Sequence, residues 1–489
     1  MKRLKNFGGL GAVLGALLLV YSLLPLGTAM QFGGDEGYEL ITGFLMSKGY
    51  VLYQQIWNDQ PPLLVLMLKW VFQAWGSSIL AARLMAAGFG LLLFGTFFEL
   101  TNSRIGRPAA LLATFFLLSS PAILELSVSV MQEAPAFALA LVSLLLLFQW
   151  IKSPRWGWLL ASGAAMGLAL EIKLTAALVL PAMLTEIFLA LNGNLQRASL
   201  KKIARATLLW SLATGIVFMA ITLVWGQGSF ESSYRSHFGG RAVFGLPRPE
   251  HFTLPLSLFW DHVECVVAAA TGLVLVIQRR KWRVFAFPLV MLMTVLAVHA
   301  VHRPWWMCYY LHIAIPLCWL AGFAANEAIT HTFNLLTKSR FDFASKKTWQ
   351  GIGLCALVAL VLERSENRLE GGVKLLQERP RIKTDPIVNK MKENASHTHW
   401  VYVQDGKEIY PFQAQLPMPP ELAVVSLKRY WSGQISNEEI VAACKRYQVE
   451  QVLLDPSQIG EAWKDFLTNY DVSYQDMNNV LYIAKQVEH

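Results

Sequence analysis

The sequence predicts a polytopic α-helical membrane protein that carries a small soluble α/β domain at its C-terminal end. Three observations predict this. The chain of 489 residues is 54% hydrophobic and only 15% charged, with a mean hydropathy of +0.40. Apolar runs of about 18 or more residues, the length a helix needs to cross a hydrocarbon core, recur through the first 362 positions. Beyond position 363 the pattern changes to short β-type runs alternating with amphipathic stretches.

Eleven spans are predicted, near 7–29, 79–99, 108–122, 131–151, 157–172, 174–191, 207–226, 254–277, 284–301, 308–326 and 349–362. The first could pass for a signal peptide, but its apolar part exceeds the usual h-region, so a retained span is expected. Charge orients the set. Residues 1–362 hold 27 Lys and Arg, and 19 of them fall in six short clusters, from Lys2/Arg3/Lys5 to Lys338/Arg340/Lys346/Lys347. With eleven spans every cluster falls on one side, which the positive-inside rule makes cytoplasmic. Eleven of the 15 acids in the same stretch fall on or near the other side. The N-terminus is therefore expected inside and the C-terminus outside. The net charge of +9 belongs to this topology signal rather than to a nucleic-acid surface, because residues 363–489 carry 15 basic against 18 acidic groups.

Two external loops stand out. Residues 30–78 hold YELITGFLMSKGYVLY and PPLLVLMLKWVFQAW, both with an apolar face of helical spacing and both short for spanning, as in helices lying in the outer interface. Residues 227–253 are rich in Gly, aromatics and Arg, as expected beside a site. In the C-terminal part, WVYVQ, LAVVSL, EQVLLD and NVLYIAK are predicted as strands, with SNEEIVAACKRYQ and IGEAWKDFLTNY as helices. The five cysteines show neither metal spacing nor a disulfide framework. Asn394-Ala-Ser396 matches a glycosylation sequon by chance composition, and no inverted repeat of hydropathy marks a secondary transporter.

Ionisable groups near the outer face are the candidates for chemistry, because membrane depth makes them costly. Asp35 and Glu36 open the first external loop in FGGDEGYEL. One acid there could cap the following helix; two in a row exceed that need. Glu133, in VMQEAPAFALAL, begins the fourth span on the same face, with Glu125 as a nearby competitor. Lys173, in GLALEIKLTAALVLP, lies at an outer turn, either as a snorkelling anchor or as a cation for a lipid-linked phosphate. HRPWWMCYYLH, residues 302–312, brings Arg303, Trp305, Trp306, Tyr309 and Tyr310 to the outer end of the tenth span. They read as an aromatic belt or as a sugar and phosphate site. Arg83, Arg235, Arg241, His237, Asp261 and His262 also map outside.

DEGYELITGFLMSKGYVLYQQIWNDQPPLLVLML resembles the first external loop of GT-C glycosyltransferases of the dolichyl-phosphate-mannose–protein mannosyltransferase type, whose bacterial relatives include the aminoarabinose transferase that modifies lipid A. VMQEAPAFALAL, GLALEIKLTAALVLP and RPWWMCYYLH follow in family order, so the resemblance covers about residues 1–330. It implies a GT-C domain over 1–362 and an extracytoplasmic domain over 363–489. It also implies inverting transfer of a sugar from a polyprenyl-phosphate donor to a lipid, glycan or cell-surface acceptor outside a bacterial inner membrane. On that resemblance Asp35 activates the acceptor with Glu36 in support, and Glu133 is a second acid. Lys173, Arg303, Arg241 and the aromatics Trp305, Trp306, Tyr309 and Tyr310 hold the donor. Some relatives bind a divalent cation, and here no ligand spacing decides the matter. The rival class is a flippase or transporter of a lipid-linked glycan, which needs polar groups at midplane depth; few are present.

Overall fold

The computed structural model describes residues 2–191, 197–234, 259, 262–302, 305–338 and 346–485. Each of the eleven predicted spans overlaps a helix among these residues. Five helical stretches are long and apolar enough to cross a membrane: Ile79–Ile105, Glu133–Lys152, Leu174–Leu191, Leu200–Trp225 and Met307–Asn334. Shorter apolar helices include Gly8–Ser22, Arg107–Leu118, Trp156–Ile172, Val263–Gln278 and Ala286–Val301.

Small residues let these helices approach, since lipid tails give apolar side chains no reason to prefer one another. Gly163 and Gly167, one turn apart on helix Trp156–Ile172, face helix Arg197–Trp225. A Cβ at either would lie 2.5 or 2.6 Å from a carbonyl oxygen of Trp210 or Thr214. Beside them Ser143 and Ser162 exchange hydrogen bonds to each other's carbonyl oxygens at 2.7 Å, and the Trp210 indole donates to the Ser162 hydroxyl at 3.0 Å. Three helices are thereby locked into one block.

The first long loop forms two short helices, Glu36–Ser47 and Leu63–Trp75, packed on each other. Its root is fixed by one buried ion pair. The Arg83 guanidinium donates from Nε and Nη2 to the two Glu36 carboxylate oxygens at 2.9 and 2.7 Å. The remaining guanidinium donors reach the carbonyls of Leu26, Ala29 and Met30 at 3.0, 2.8 and 3.3 Å. The Glu36 carboxylate also accepts from the backbone N–H groups of Phe32 and Val130 at 2.8 and 3.1 Å. Both side chains are fully buried, and the fork of donors is used as completely as its geometry permits.

The C-terminal part grows from helix Lys346–Gln377, which runs through position 363 without a break. It then forms a four-stranded sheet of β1 (Val401–Val403), β2 (Gln451–Leu454), β3 (Tyr470–Gln475) and β4 (Val480–Ala484), in the order β1-β2-β4-β3. The β1–β2 pair is parallel and the others are antiparallel. The helix predicted in SNEEIVAACKRYQ is Asn437–Tyr447, and it starts on a capping box of Ser436 with Glu439. Two strand assignments need correction. LAVVSL is not a strand: Pro419 and Pro420 withhold ladder donors, and Pro420–Leu422 becomes a 3₁₀ turn leading to helix Leu427–Trp431. The helix predicted in IGEAWKDFLTNY stops at Leu467, and Tyr470, placed at its end, instead opens β3, the strand at the sheet edge.

This sheet unit shares its hydrophobic core with the first loop. Leu40, Ile41, Phe44 and Phe72 pack with Ile409, Phe412, Val401 and Tyr402, and Phe412 contacts the Phe44 and Phe72 rings at 6.1 and 5.6 Å. Gly37 makes the approach close: a Cβ there would lie 2.8 Å from the Ile409 backbone nitrogen. Gly37→Ala therefore has to displace backbone, and should destabilise the protein by about 1–3 kcal/mol. Thermal unfolding in detergent, with earlier protease cleavage of the C-terminal unit, would register that loss.

Candidate active site

Where the first loop meets the membrane helices and the C-terminal unit, a cavity of about 350 Å³ opens. Among the described residues its wall carries five carboxyl groups, Asp35, Glu39, Asp59, Glu133 and Asp405, and two lysines, Lys173 and Lys428.

Asp35 stands at the N-cap position of helix Glu36–Ser47, yet its side chain makes no capping hydrogen bond. Its exposed surface faces the cavity. Enclosure pushes its carboxyl up from the ordinary 3.8, while Lys173 pulls it down, Glu133 pushes it up, and Lys428 and Asp59 pull and push more weakly. Glu36 is turned the other way, into the Arg83 pair, and does not line the cavity. The residue expected to support Asp35 therefore meets the cavity only through the loop that it ties to Arg83.

Glu133 begins helix Glu133–Lys152, and Lys173 is the extended residue that ends helix Trp156–Ile172. The two are joined in a buried ion pair, and the Lys173 ammonium also lies over the Tyr309 ring, 5.8 Å from its centroid. Lys173 is thus no lipid-facing anchor. Glu125, the competing acid, is engaged by Arg379 at 2.9 Å away from the cavity.

The aromatic run divides. Trp306 and Tyr309 line the cavity. Trp305 is buried edge-on against His299 at 4.8 Å, and Tyr310 is stacked on His262 at 4.7 Å, so neither reaches it. Arg303 and Arg241, with Arg235, His237 and Asp261, lie outside the described residues.

Four charged contributors were not singled out from the sequence: Glu39, Asp59, Lys428 and Asp405. Asp59 sits in the turn after Tyr53, whose hydroxyl donates to the Gln60 carbonyl at 2.6 Å and whose φ of 64° is left-handed. Lys428 comes from the C-terminal unit and donates to Asp59 at 3.2 Å. Asp405 follows β1, and burial pushes its carboxyl up to about 7. The sequence signal for Asp59 was its place in WNDQPP; Lys428 and Asp405 carry no local signal. Among the described residues no group of three or more His, Cys, Asp or Glu is arranged to hold a metal ion. Two of the carboxylates are tied to lysines, so the described residues do not compose a cation site and no step below uses one.

Known proteins place this architecture. The chain has the GT-C glycosyltransferase fold of membrane sugar transferases. It is similar to ArnT from Cupriavidus metallidurans bound to undecaprenyl phosphate, with a TM-score of 0.64 and 15% identity over 97% of this chain and 98% of that one. The apo state of the same protein matches at 0.63 and 14%, over 98% of each chain. The Archaeoglobus fulgidus oligosaccharyltransferase, in complex with Zn and sulfate, matches at 0.58 and 12%, over 96% of this chain and 73% of that one. Residues 59–225 match the family described as dolichyl-phosphate-mannose-protein mannosyltransferase. No curated protein matches the chain by sequence. The resemblance read from the acidic loop and its ordered motifs is borne out.

Glu39 offers a test of the cavity electrostatics. Its Oε1 accepts from the Gln132 amide at 2.7 Å, and burial pushes its carboxyl from 4.5 to about 8, with Asp35 adding to the push. The folded state then holds a proton that the unfolded chain releases, so stability should fall as pH rises from about 4.5 to about 8 and level off above. Glu39→Gln, which resembles the protonated acid, should flatten that slope in thermal unfolding measured across the same range.

Proposed function

We propose that the chain is a membrane glycosyltransferase that moves a sugar from a polyprenyl-phosphate donor to an acceptor on the extracytoplasmic face, with inversion. The observation that carries this reading is Asp35: a carboxylate at a helix N-cap that caps nothing and faces a cavity flanked by the Lys173–Glu133 pair. That ArnT, of the same fold, was crystallised bound to undecaprenyl phosphate supports the donor class.

The chemistry follows from the arrangement. An acceptor hydroxyl oxygen attacks the anomeric carbon as the bond from that carbon to the phosphate oxygen breaks, and the polyprenyl phosphate leaves with the electron pair. Asp35 takes the hydroxyl proton. Enclosure raises its pKa above that of a surface aspartate, which makes its carboxylate the stronger base. Lys173 balances the charge that collects on the phosphate, exchanging Glu133 for a phosphate oxygen. Trp306 and Tyr309 present ring faces to the sugar.

In this reading the eleven helical segments all cross the membrane. The first-loop helices lie in the outer interface, and residues 1–362 and 363–489 form the catalytic and extracytoplasmic domains of a bacterial inner-membrane protein with a cytoplasmic N-terminus. The acceptor is a lipid, glycan or cell-surface polymer.

Asp35→Asn should insert and unfold like the wild type yet lose at least ~100-fold in transfer, the scale of a general base. The assay is release of undecaprenyl phosphate from a radiolabelled undecaprenyl-phosphate sugar in proteoliposomes. Wild-type transfer should also fade at acid pH, on a limb above the ordinary aspartate value of 3.8. Undiminished transfer by the variant would remove the assignment.

A further inference from the structure

Lys428 is the unexpected member of the cavity, because it arrives from a part of the chain more than 350 positions beyond Asp35. Its delivery is built. The neighbouring Arg429 is buried, donates to the Glu421 and Val424 carbonyls at 2.6 and 3.0 Å, and lies 5.0 Å over the Trp57 ring of the first loop. The Trp57 indole donates in turn to Gln434 at 2.9 Å. These contacts seat segment 421–434 on the loop that carries Asp59, and Lys428 meets Asp59 at 3.2 Å on the cavity wall.

Around Asp35 the charged groups form two sets. On the membrane side stand the Lys173–Glu133 pair, with Cys308 and Tyr309 beside it. On the other side stand Lys428 and Asp59, with Asp405 and, behind it, the buried Glu408. Glu39 completes the ring from Asp35's own helix. Each lysine is paired with one carboxylate, Lys173 with Glu133 and Lys428 with Asp59, which leaves Asp35 between the two pairs with Glu39 and Asp405 beside it. Removing either cation leaves several carboxylates competing for one compensating charge, a condition under which they cannot all ionise.

We infer that Lys428 is a positioning residue for Asp35, supplied by the C-terminal unit, so that the transferase site is complete only when that unit is seated on the first loop. The inference rests on the reading of Asp35 as the base. It assigns the C-terminal unit a part in the chemistry beyond its fold. Lys428 acts through the charge it sets at Asp35 and not by contact with the reacting atoms.

Two substitutions of opposite sign test this. Lys428→Met removes the cation and leaves Asp59, so Asp35 should hold its proton to higher pH, by roughly half to one pH unit for a charge not in direct contact. Asp59→Asn leaves the lysine without its anion, so Asp35 should lose its proton at lower pH. Lys428→Arg should restore the wild-type position. Protonation of Asp35 is read directly, without transfer, by labelling the full-length protein in detergent with dicyclohexylcarbodiimide, which modifies protonated carboxyls, and following the Asp35 peptide by mass spectrometry across pH. The acid limb of transfer is read in parallel. A labelling midpoint that rises in Lys428→Met, falls in Asp59→Asn and returns in Lys428→Arg is the expected result. Midpoints that coincide with the wild type, or move together in Met and Asn variants, overturn the inference. Should the midpoints shift while the wild type transfers no sugar, the assignment of activity fails and the electrostatic coupling stands.

Discussion

The Arg83–Glu36 pair is the constraint from which the rest of the cavity end of the molecule follows. It joins the start of the first loop helix to the long helix Ile79–Ile105, and its remaining donors tie down the carbonyls of residues 26–30. A buried charge pair of this kind contributes little net stability compared with apolar side chains of the same volume, yet removing one partner costs about 3–5 kcal/mol. What it supplies is orientation. With Glu36 pinned inward, the preceding residue in the turn must face outward, and that residue is Asp35.

The same root anchors the C-terminal unit. Residues 28 and 30 exchange backbone hydrogen bonds with 380–382, through Met30 N–H to the Pro380 carbonyl at 2.7 Å and Ile382 N–H to the Thr28 carbonyl at 3.0 Å. The segment whose carbonyls receive Arg83 on one side therefore receives the returning chain on the other. Gly37 then admits helix Ile409–Ala414 against the loop helix, and the core closes around Phe44, Phe72 and Phe412. The sheet unit is thus joined to the loop by backbone pairing at its root and by a common apolar core along its length.

Much of this was legible in the sequence, and the limits are physical. Hydropathy and basic clusters located the helices, because membrane helices must satisfy their own backbone and carry long apolar runs. Asp35, Glu133 and Lys173 were legible because charge at membrane depth needs a reason. The role of Glu36 was not, since its partner Arg83 lies 47 positions away and adjacency to Asp35 invited a shared role. Trp305 and Tyr310 were grouped with Trp306 and Tyr309 by composition, whereas the turn into the 3₁₀ segment Met307–Tyr309 sends alternate rings to different surroundings. Asp405 and Lys428 sit in a region whose local pattern is that of an ordinary soluble domain.

That last point bears on how such a site is assembled. A carboxylate acting as a base must be ionised when substrate arrives, yet enclosure that excludes water also favours its protonated form. Within a membrane protein the cations that could offset this are expensive to hold near the apolar phase. Lys173 meets the cost through Glu133, which consumes most of its compensating charge. A lysine brought in from the sheet unit avoids placing a second cation on the apolar helices. Lys428 reaches Asp59 while its side chain stays 22% exposed, which retains part of its hydration. The first loop thereby carries Asp35 itself and takes part of the electrostatic balance around it from the C-terminal unit, and the shared core around Phe412 keeps the two in register.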